Sequence, residues 1–284
     1  MSGNNNLDPM YVLGRSQRET ERLQRQGQLL EPFTRLLFEA AGITTGMRVL
    51  DVGCGAGDVA FLVAKLVGPA GSVIGVDKNP LILETARLRA CAAGLSNVTF
   101  VAGDIRDVIL DQDLDAAVGR CILMYMADQA VALRAIARHL RPGGILAFEE
   151  ADFSLTKSIM ANAAAVPLSK QWIFWVFEVF CHTGFPLQIS MSLPEAFRQA
   201  DLPLPQMYMD APAGLGADWA GYEYLAESLR SLLPLLVQFG IATEEEVAID
   251  TFAERLRTEV VTQSSVVFGP VMIGTWAHKT SWWG

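Results

Sequence analysis

The sequence predicts an α/β protein: a mostly parallel, seven-stranded sheet with helices on both faces, plus an N-terminal helical lid and helical insertions. Three observations predict it. Short apolar runs alternate with helical stretches between residues 47 and 148, as parallel strands joined by covering helices require. Glycines follow the first of these runs at once, at Gly53, Gly55 and Gly57. After Asp152 the alternation lapses into helical, aromatic sequence, and a β-rich stretch returns only at residues 266–275.

Taken in order, residues 1–10 read as a loose tail. Ser16 and Glu19 form a capping-box pair that starts a helix. Pro32 opens a second helix at the position where its missing N–H costs least, and Phe33, Leu36, Leu37 and Ala40 form its apolar side. Residues 47–52 are the first strand. A helix follows and stops at Gly68-Pro69-Ala70-Gly71. Residues 72–76 are the second strand, after which Asn79 caps and Pro80 opens a helix that ends near residue 93, with Gly94 at its close. Residues 98–101, 115–118 and 145–148 are three further strands. A helix over 128–140 precedes the last of them, ended by Arg141-Pro142-Gly143-Gly144. Residues 153–190 and 217–260 read as helical, with a short helix at 194–200 and a short strand at 206–210 between them. The organisation expected is a lid over residues 1–40, a ligand-binding core over 41–152, and cap insertions with the final core strands over 153–284.

Composition narrows the function. Of 284 residues, 51% are hydrophobic and 19% charged, a mix that fills a core rather than one that stays disordered. The formal net charge is -9, which disfavours nucleic acid, because phosphate neutralisation by a basic stripe supplies most of that affinity. Cys54, Cys91, Cys121 and Cys181 form no CxxC pair and have no histidine at metal-ligand spacing, so free buried thiols and no metal are expected. The start MSGNNNLDP lacks a basic segment followed by an apolar one. The apolar run at 172–180 is too short to span a membrane and contains Glu178. A cytoplasmic protein without a membrane span is the expectation, with homo-oligomerisation left open.

The strongest local pattern is Val49-Leu50-Asp51-Val52-Gly53-Cys54-Gly55-Ala56-Gly57. Glycines after a first strand let the backbone turn tightly and approach a ligand, and the next helix offers unpaired N–H groups. A dinucleotide site wants G-x-G-x-x-G with pyrophosphate at the helix start. Here the spacing is G-x-G-x-G, the third dinucleotide position is Asp58, and Asp51 precedes the loop. Two carboxylates repel a pyrophosphate and suit a ligand carrying an ammonium and a sulfonium, which favours S-adenosylmethionine over NAD. Asp77, ending the second strand, is placed to accept hydrogen bonds from a ribose diol, and Lys78 follows it. Asp104 in Gly103-Asp104-Ile105 can reach an adenine amino group, and Gly119-Arg120 follows the fourth strand. All lie at carboxyl ends of parallel strands, where open α/β sheets bind ligands.

These motifs resemble the class I S-adenosylmethionine-dependent methyltransferases, whose core is Rossmann-like. The resemblance covers about residues 40–150 and extends to Pro142-Gly143-Gly144 and to an antiparallel last strand at 265–279. It implies that Asp51, Gly53 and Gly55 contact the methionyl part, Asp77 the ribose, Asp104 and Ile105 the adenine, and Arg120, through its backbone, the amino group. Residues 11–16, with Arg22 and Gln26, look like the lid of bacterial small-molecule members, which closes over the cofactor. No Asn/Asp-Pro-Pro-Tyr/Phe motif of amino-methylating nucleic-acid enzymes occurs.

The family shares no universal catalytic residue. A base is needed only where the acceptor must lose a proton. His182, read as facing the pocket mouth, has a suitable ordinary pKa. His139 reads as a helix-end histidine placed there for its charge, and His278 has no evident role. Glu149, Glu150 and Asp152 read as acids at the crevice edge, solvated or orienting an acceptor, with Glu150 the candidate base. Tyr11 can pack on the cofactor or staple the lid. Trp172, Phe174, Trp175, Phe177 and Phe180 cover more than one helical face, as a core or subunit-interface helix does, or as an apolar acceptor pocket would. The function expected is methyl transfer to a small, hydrophobic acceptor of natural-product character, at O, N or C. The alternatives are an S-adenosylmethionine-binding cyclase or rearrangement enzyme without net transfer, and an NAD-dependent oxidoreductase.

Overall fold

The computed structural model describes residues 17–110, 113–162 and 166–280. A long first helix, α1 (Gln17–Ala41), leads into five parallel strands joined in part by helices. β1 (Arg48–Val52), α2 (Asp58–Val67), β2 (Ser72–Asp77), α3 (Pro80–Ala92) and β3 (Val98–Ala102) build one side of the sheet. β4 (Leu114–Arg120), α4 (Gln129–Ala137) and β5 (Leu140–Asp152) build the other. Three helices follow, α5 (Phe153–Asn162), α6 (Pro167–Thr183) and α7 (Ile189–Gln199), before β6 (Gln206–Asp210) and the two-residue β7 (Ala213–Gly214). Then α8 (Gly221–Gln238), α9 (Glu244–Val247) and α10 (Phe252–Thr262) precede β8 (Val267–Phe268) and β9 (Val271–His278).

The main sheet has seven strands in the order β3-β2-β1-β4-β5-β9-β6, and β7 pairs with β8 separately. β1 to β5 run parallel, and β9 runs antiparallel to both β5 and β6. The chain winds outward from β1 to β3 and then returns to place β4 on the other side of β1. That reversal opens a crevice at the carboxyl ends of β1 and β4, where doubly wound sheets hold their ligands.

The local chemistry explains the elements. Past the exposed Arg48 at its start, β1 is apolar except for Asp51 because both of its faces are covered. Asn79 caps α3 by accepting from the Leu81 N–H, with Pro80 in the first turn. Beyond Ala93, Gly94 sits at φ +67°, and the N–H groups of Gly94 and Leu95 return to the Cys91 and Ala90 carbonyls, the paired closure that glycine permits. α2 is buried almost throughout because it lies between the sheet and α1. Its Val63 and Ala64 share one apolar cluster with Leu37 and Phe38 of α1.

Several expectations are corrected. Pro32 lies inside α1 and opens no second helix; apolar residues on either side of it, Leu30 and Leu37, are fully buried and anchor both halves of one continuous helix. The expected helix at 194–200 is the second half of α7, which begins at Ile189 and carries Pro194 inside. The 128–140 helix ends at Ala137, and His139 behind it is buried, its pKa lowered chiefly by that burial. β5 is far longer than residues 145–148. It pairs Leu140 with Leu114 and, after an irregularity that takes up residues 141–144, Ile145 with Ala116. Two of the four cysteines, Cys91 and Cys181, are exposed rather than buried. Ser16, and with it the proposed capping box, lies outside the described residues. Among the described residues no helix is long and apolar enough to cross a membrane.

Candidate functional site

At the crevice between β1 and β4 lies a cavity of about 250 Å³. Its floor comes from strand ends and the turns after them: Gly53 to Ala56, Asp77 to Asn79, Gly103, Ile105, and Arg120 to Ile122. Its roof comes from α1, α6 and α8.

The floor is shaped by backbone geometry. Gly53 sits at φ +67°, and a Cβ there would come within 2.3 Å of the Ile122 Cδ1 atom. Only glycine satisfies both conditions, and the loop thereby lies close against the chain that follows β4. Asp77 ends β2 at the cavity wall. One of its carboxylate oxygens accepts from the Gly55 N–H at 2.9 Å and the other from the Asn79 N–H at 2.8 Å. The acid is thus oriented by the glycine loop it supports.

Asp51 lies beneath this loop and does not line the cavity surface. It is fully buried, and neither carboxylate oxygen finds a hydrogen-bond partner among the described residues. Burial pushes its pKa well up, and the Arg120 guanidinium opposes that shift. A carboxylate buried in a central strand is costly, and the Arg120 guanidinium is the charge that offsets part of that cost. Asp58, the other acid at the loop, is already paired with Arg89 at 2.8 Å. The argument against a pyrophosphate therefore rests on Asp51 and Asp77 rather than on Asp58.

The other expected cofactor residues divide. Gly53, Gly55, Asp77, Lys78, Ile105, Arg120 and Gln26 line the cavity, and Asp104 does not. Asp104 is held by the Arg106 guanidinium and by Lys78 at 3.3 Å, contacts that keep its carboxyl far below the usual range. The Arg120 side chain reaches back to α1, where its Nη1 donates to the Thr34 hydroxyl at 3.0 Å. Gln26 Nε2 approaches the Cys121 sulfur at 3.9 Å, and Cys121 turns the chain out of β4 at φ +51°.

The acids after residue 148 are not solvated loop groups. Glu149, Glu150 and Asp152 belong to β5 and are fully buried. Glu150 accepts the N–H groups of Ile122 (3.1 Å), Leu123 (2.9 Å) and Met124 (3.2 Å), which fixes the turn after β4. Burial still raises its pKa to about 7. Because its carboxylate is engaged by that turn and it lies behind the cavity wall, the arrangement gives Glu150 a positioning part rather than contact with an acceptor. Glu149 is likewise raised to about 7 by burial, against the pull of Arg120 and Thr34. Asp152 accepts from the Leu155 and Ser190 N–H groups and so ties α5 and α7 to the end of β5.

His182 does not face the cavity. It is exposed at the end of α6, its Nδ1 2.8 Å from the Glu178 carbonyl and its ring stacked on Phe239 at 5.0 Å. Tyr11 lies outside the described residues. The aromatic helix divides its residues: Trp172 and Phe180 line the cavity, Trp175 is buried near Phe252, Phe174 is 44% exposed, and Phe177 lies under the Lys157 ammonium.

Sequence reasoning missed the rest of the roof: Tyr224, Ser228 and Leu232 on α8, Phe153, and Met124 to Met126 after β4. The four-residue spacing of Tyr224, Ser228 and Leu232 marks one helical face, but nothing local says which cavity that face meets.

A family model described as a methyltransferase domain matches residues 43–191, just over half of the chain. The chain belongs to the class I S-adenosylmethionine-dependent methyltransferase family. Among curated relatives, the ubiquinone/menaquinone biosynthesis C-methyltransferase UbiE of Cellvibrio japonicus is 37% identical over 114 residues, 39% of this chain and 46% of its own. The aklanonic acid methyltransferase DauC of Streptomyces sp. strain C5 is 33% identical over 127 residues, 44% of this chain and 58% of its own. The chain thus spans about half the length of these curated relatives. Among solved structures, the [4+2]-cyclase SpnF shares the fold over 88% of this chain and 80% of its own, with a TM-score of 0.53 and 22% identity.

The residues present fit the family's cofactor. Asp77 stands at the cavity wall where a hydroxyl-bearing sugar would meet it, and the glycine loop leaves room beside it, whereas Asp51, expected to touch the methionyl part, lies buried beneath that loop and out of direct reach.

Proposed function

We propose that this protein transfers the methyl group of S-adenosylmethionine to a small, apolar acceptor. The observation that supports it is the division of one cavity. Its floor presents Asp77, with Asp51 orphaned just beneath, and its roof presents Trp172, Val176 and Phe180. Gly53, Gly55, Asp77 and Ile105 would hold the cofactor, with Lys78 and Gln26 at its edges and Asp51 behind the glycine loop. The bound cofactor would supply an electrophilic methyl group for in-line displacement. The chain's own task is then to place the acceptor on that line and to exclude water. The apolar roof does both, and Glu150 keeps the turn that carries Met124 to Met126 in register. His182, outside the cavity, takes no part as a base. The similarity to a ubiquinone/menaquinone biosynthesis C-methyltransferase and to an aklanonic acid methyltransferase supports an acceptor of quinone or natural-product type.

The test is product analysis. Purified protein is incubated with S-adenosylmethionine and a panel of hydroxylated quinones and aromatic polyketides, and S-adenosylhomocysteine is measured with the methylated product. Stoichiometric formation of both supports transfer. Acceptor conversion without S-adenosylhomocysteine overturns transfer in favour of a cyclase or rearrangement enzyme.

A further inference from the structure

The two helices that roof the cavity present matching faces of opposite character. α6 lines it with Trp172, Val176 and Phe180, and α8 with Tyr224, Ser228 and Leu232. Each set is spaced by four residues, so each forms one stripe along its helix. The α6 stripe offers no polar group to a ligand: its indole N–H is spent on the Leu225 carbonyl of α8 at 3.0 Å. That bond also fixes the two stripes against each other.

On α8 the stripe begins with two hydroxyls. Ser228 is 8% exposed and lines the cavity; its Oγ meets no partner at full hydrogen-bond geometry among the described residues, and the Tyr224 phenol is the polar group that interacts with it. Tyr224, one turn earlier, is 5% exposed, and its phenol faces Ser228 and Gln26. Two buried hydroxyls that meet each other imperfectly keep donor and acceptor capacity to spare, which a ligand in the cavity can use. On its α1 side the pair is flanked by Arg22 and Gln26, and elsewhere the wall is apolar, where Phe153, Met124 and Met126 join the α6 stripe.

We propose that Tyr224 and Ser228 form the polar end of the acceptor chamber and hydrogen-bond a single oxygen of a neutral, largely apolar ring compound, such as a phenol or a ketone. The proposal rests on the methyltransferase reading above and specifies the acceptor class for it. One oxygen suffices because the two hydroxyls lie one turn apart on the same face. The remainder of the acceptor is held by area rather than by polar contacts.

The test uses the full-length protein and two ring probes of similar shape, 2-naphthol and naphthalene, titrated by fluorescence with and without saturating S-adenosylhomocysteine. Separate calorimetry with S-adenosylhomocysteine reports the floor of the cavity and checks that variants are folded. The expected result is that 2-naphthol binds about tenfold more tightly than naphthalene. Ser228→Ala and Tyr224→Phe should each remove about threefold to tenfold of that preference while S-adenosylhomocysteine affinity stays unchanged. Equal affinity for the two probes, or an undiminished preference in both variants, would overturn the assignment and leave the cofactor reading standing. Tighter binding of 2-naphthoate than of 2-naphthol would overturn the neutral class. Probe preference without any S-adenosylhomocysteine binding would sustain the chamber and take down the cofactor reading instead.

Discussion

The floor and the roof of the cavity are built by different means. The floor gathers Gly53, Asp77, Gly103 and Arg120, each at or just past the carboxyl end of a parallel strand. Once the strand order is set, these residues converge by topology alone. The roof gathers Trp172 and Phe180 from α6, and Tyr224 and Ser228 from α8. These helices are distant in sequence and meet only because their apolar faces pack. A ligand shared by many proteins is held by the part that topology dictates, and a ligand particular to one protein by the part that packing dictates.

The sharpest way to break this comparison is at Asp77. Asp77→Ala is expected to weaken S-adenosylmethionine binding by roughly tenfold to a hundredfold, about 1.4–2.7 kcal/mol. Unchanged affinity by calorimetry would remove Asp77 from the floor. Gly53→Ala comes next. The added Cβ would fall 2.3 Å from the Ile122 side chain in a left-handed backbone, so a loss of about 1–3 kcal/mol in stability is expected, read as a lowered melting temperature. A variant as stable as the parent would mean that the loop does not need glycine there.

The buried acids behind the floor predict a pH dependence. In the folded chain Glu149 titrates near 7, against an ordinary value of 4.5. Between those values the folded state keeps a proton that the unfolded state has released. Stability therefore falls as pH rises through that window and levels off above it. Glu150, also raised to about 7, and Asp210, raised to about 6, act in the same direction. Melting temperature measured from pH 5 to 7.5 should decline, and Glu149→Gln should make the decline shallower by about one proton. An identical slope in the variant would show that Glu149 is ionised throughout. The smallest effect is expected at His182, which lies outside both floor and roof. His182→Ala should leave cofactor affinity, turnover and its pH profile unchanged, with stability within about 0.5 kcal/mol of the parent. Lowered turnover with loss of the acidic limb of its pH profile would bring His182 back to the chemistry as a base.

What the sequence made legible follows the same division. Asp51, Gly53 and Asp77 could be read because a glycine loop after a strand, and an acid ending the next strand, are local patterns with a physical purpose. Pro32 misled because a proline that suits the first turn of a helix was tolerated inside one, where burial on both sides outweighs a lost hydrogen bond. Pro142 to Gly144 read as the end of a helix, but the helix stops at Ala137 and these residues are an irregularity inside β5, across which pairing resumes and takes Glu149 and Glu150 into the interior. Charged residues after a strand read as a solvated loop until the partners that bury them, α1 for Glu149 and the turn after β4 for Glu150, are known. Ser228 looked like any small polar residue on a helix. Its significance depends on the cavity it faces, and only the packing of α8 against α6 supplies that.

The most direct test of the account is a calorimetric titration of the protein, stripped of bound ligand, with S-adenosylmethionine and in parallel with NAD. The account predicts saturable one-site binding of S-adenosylmethionine and none of NAD, with the S-adenosylmethionine site weakened in Asp77→Ala. A folded protein that binds NAD, or that binds neither, would contradict it.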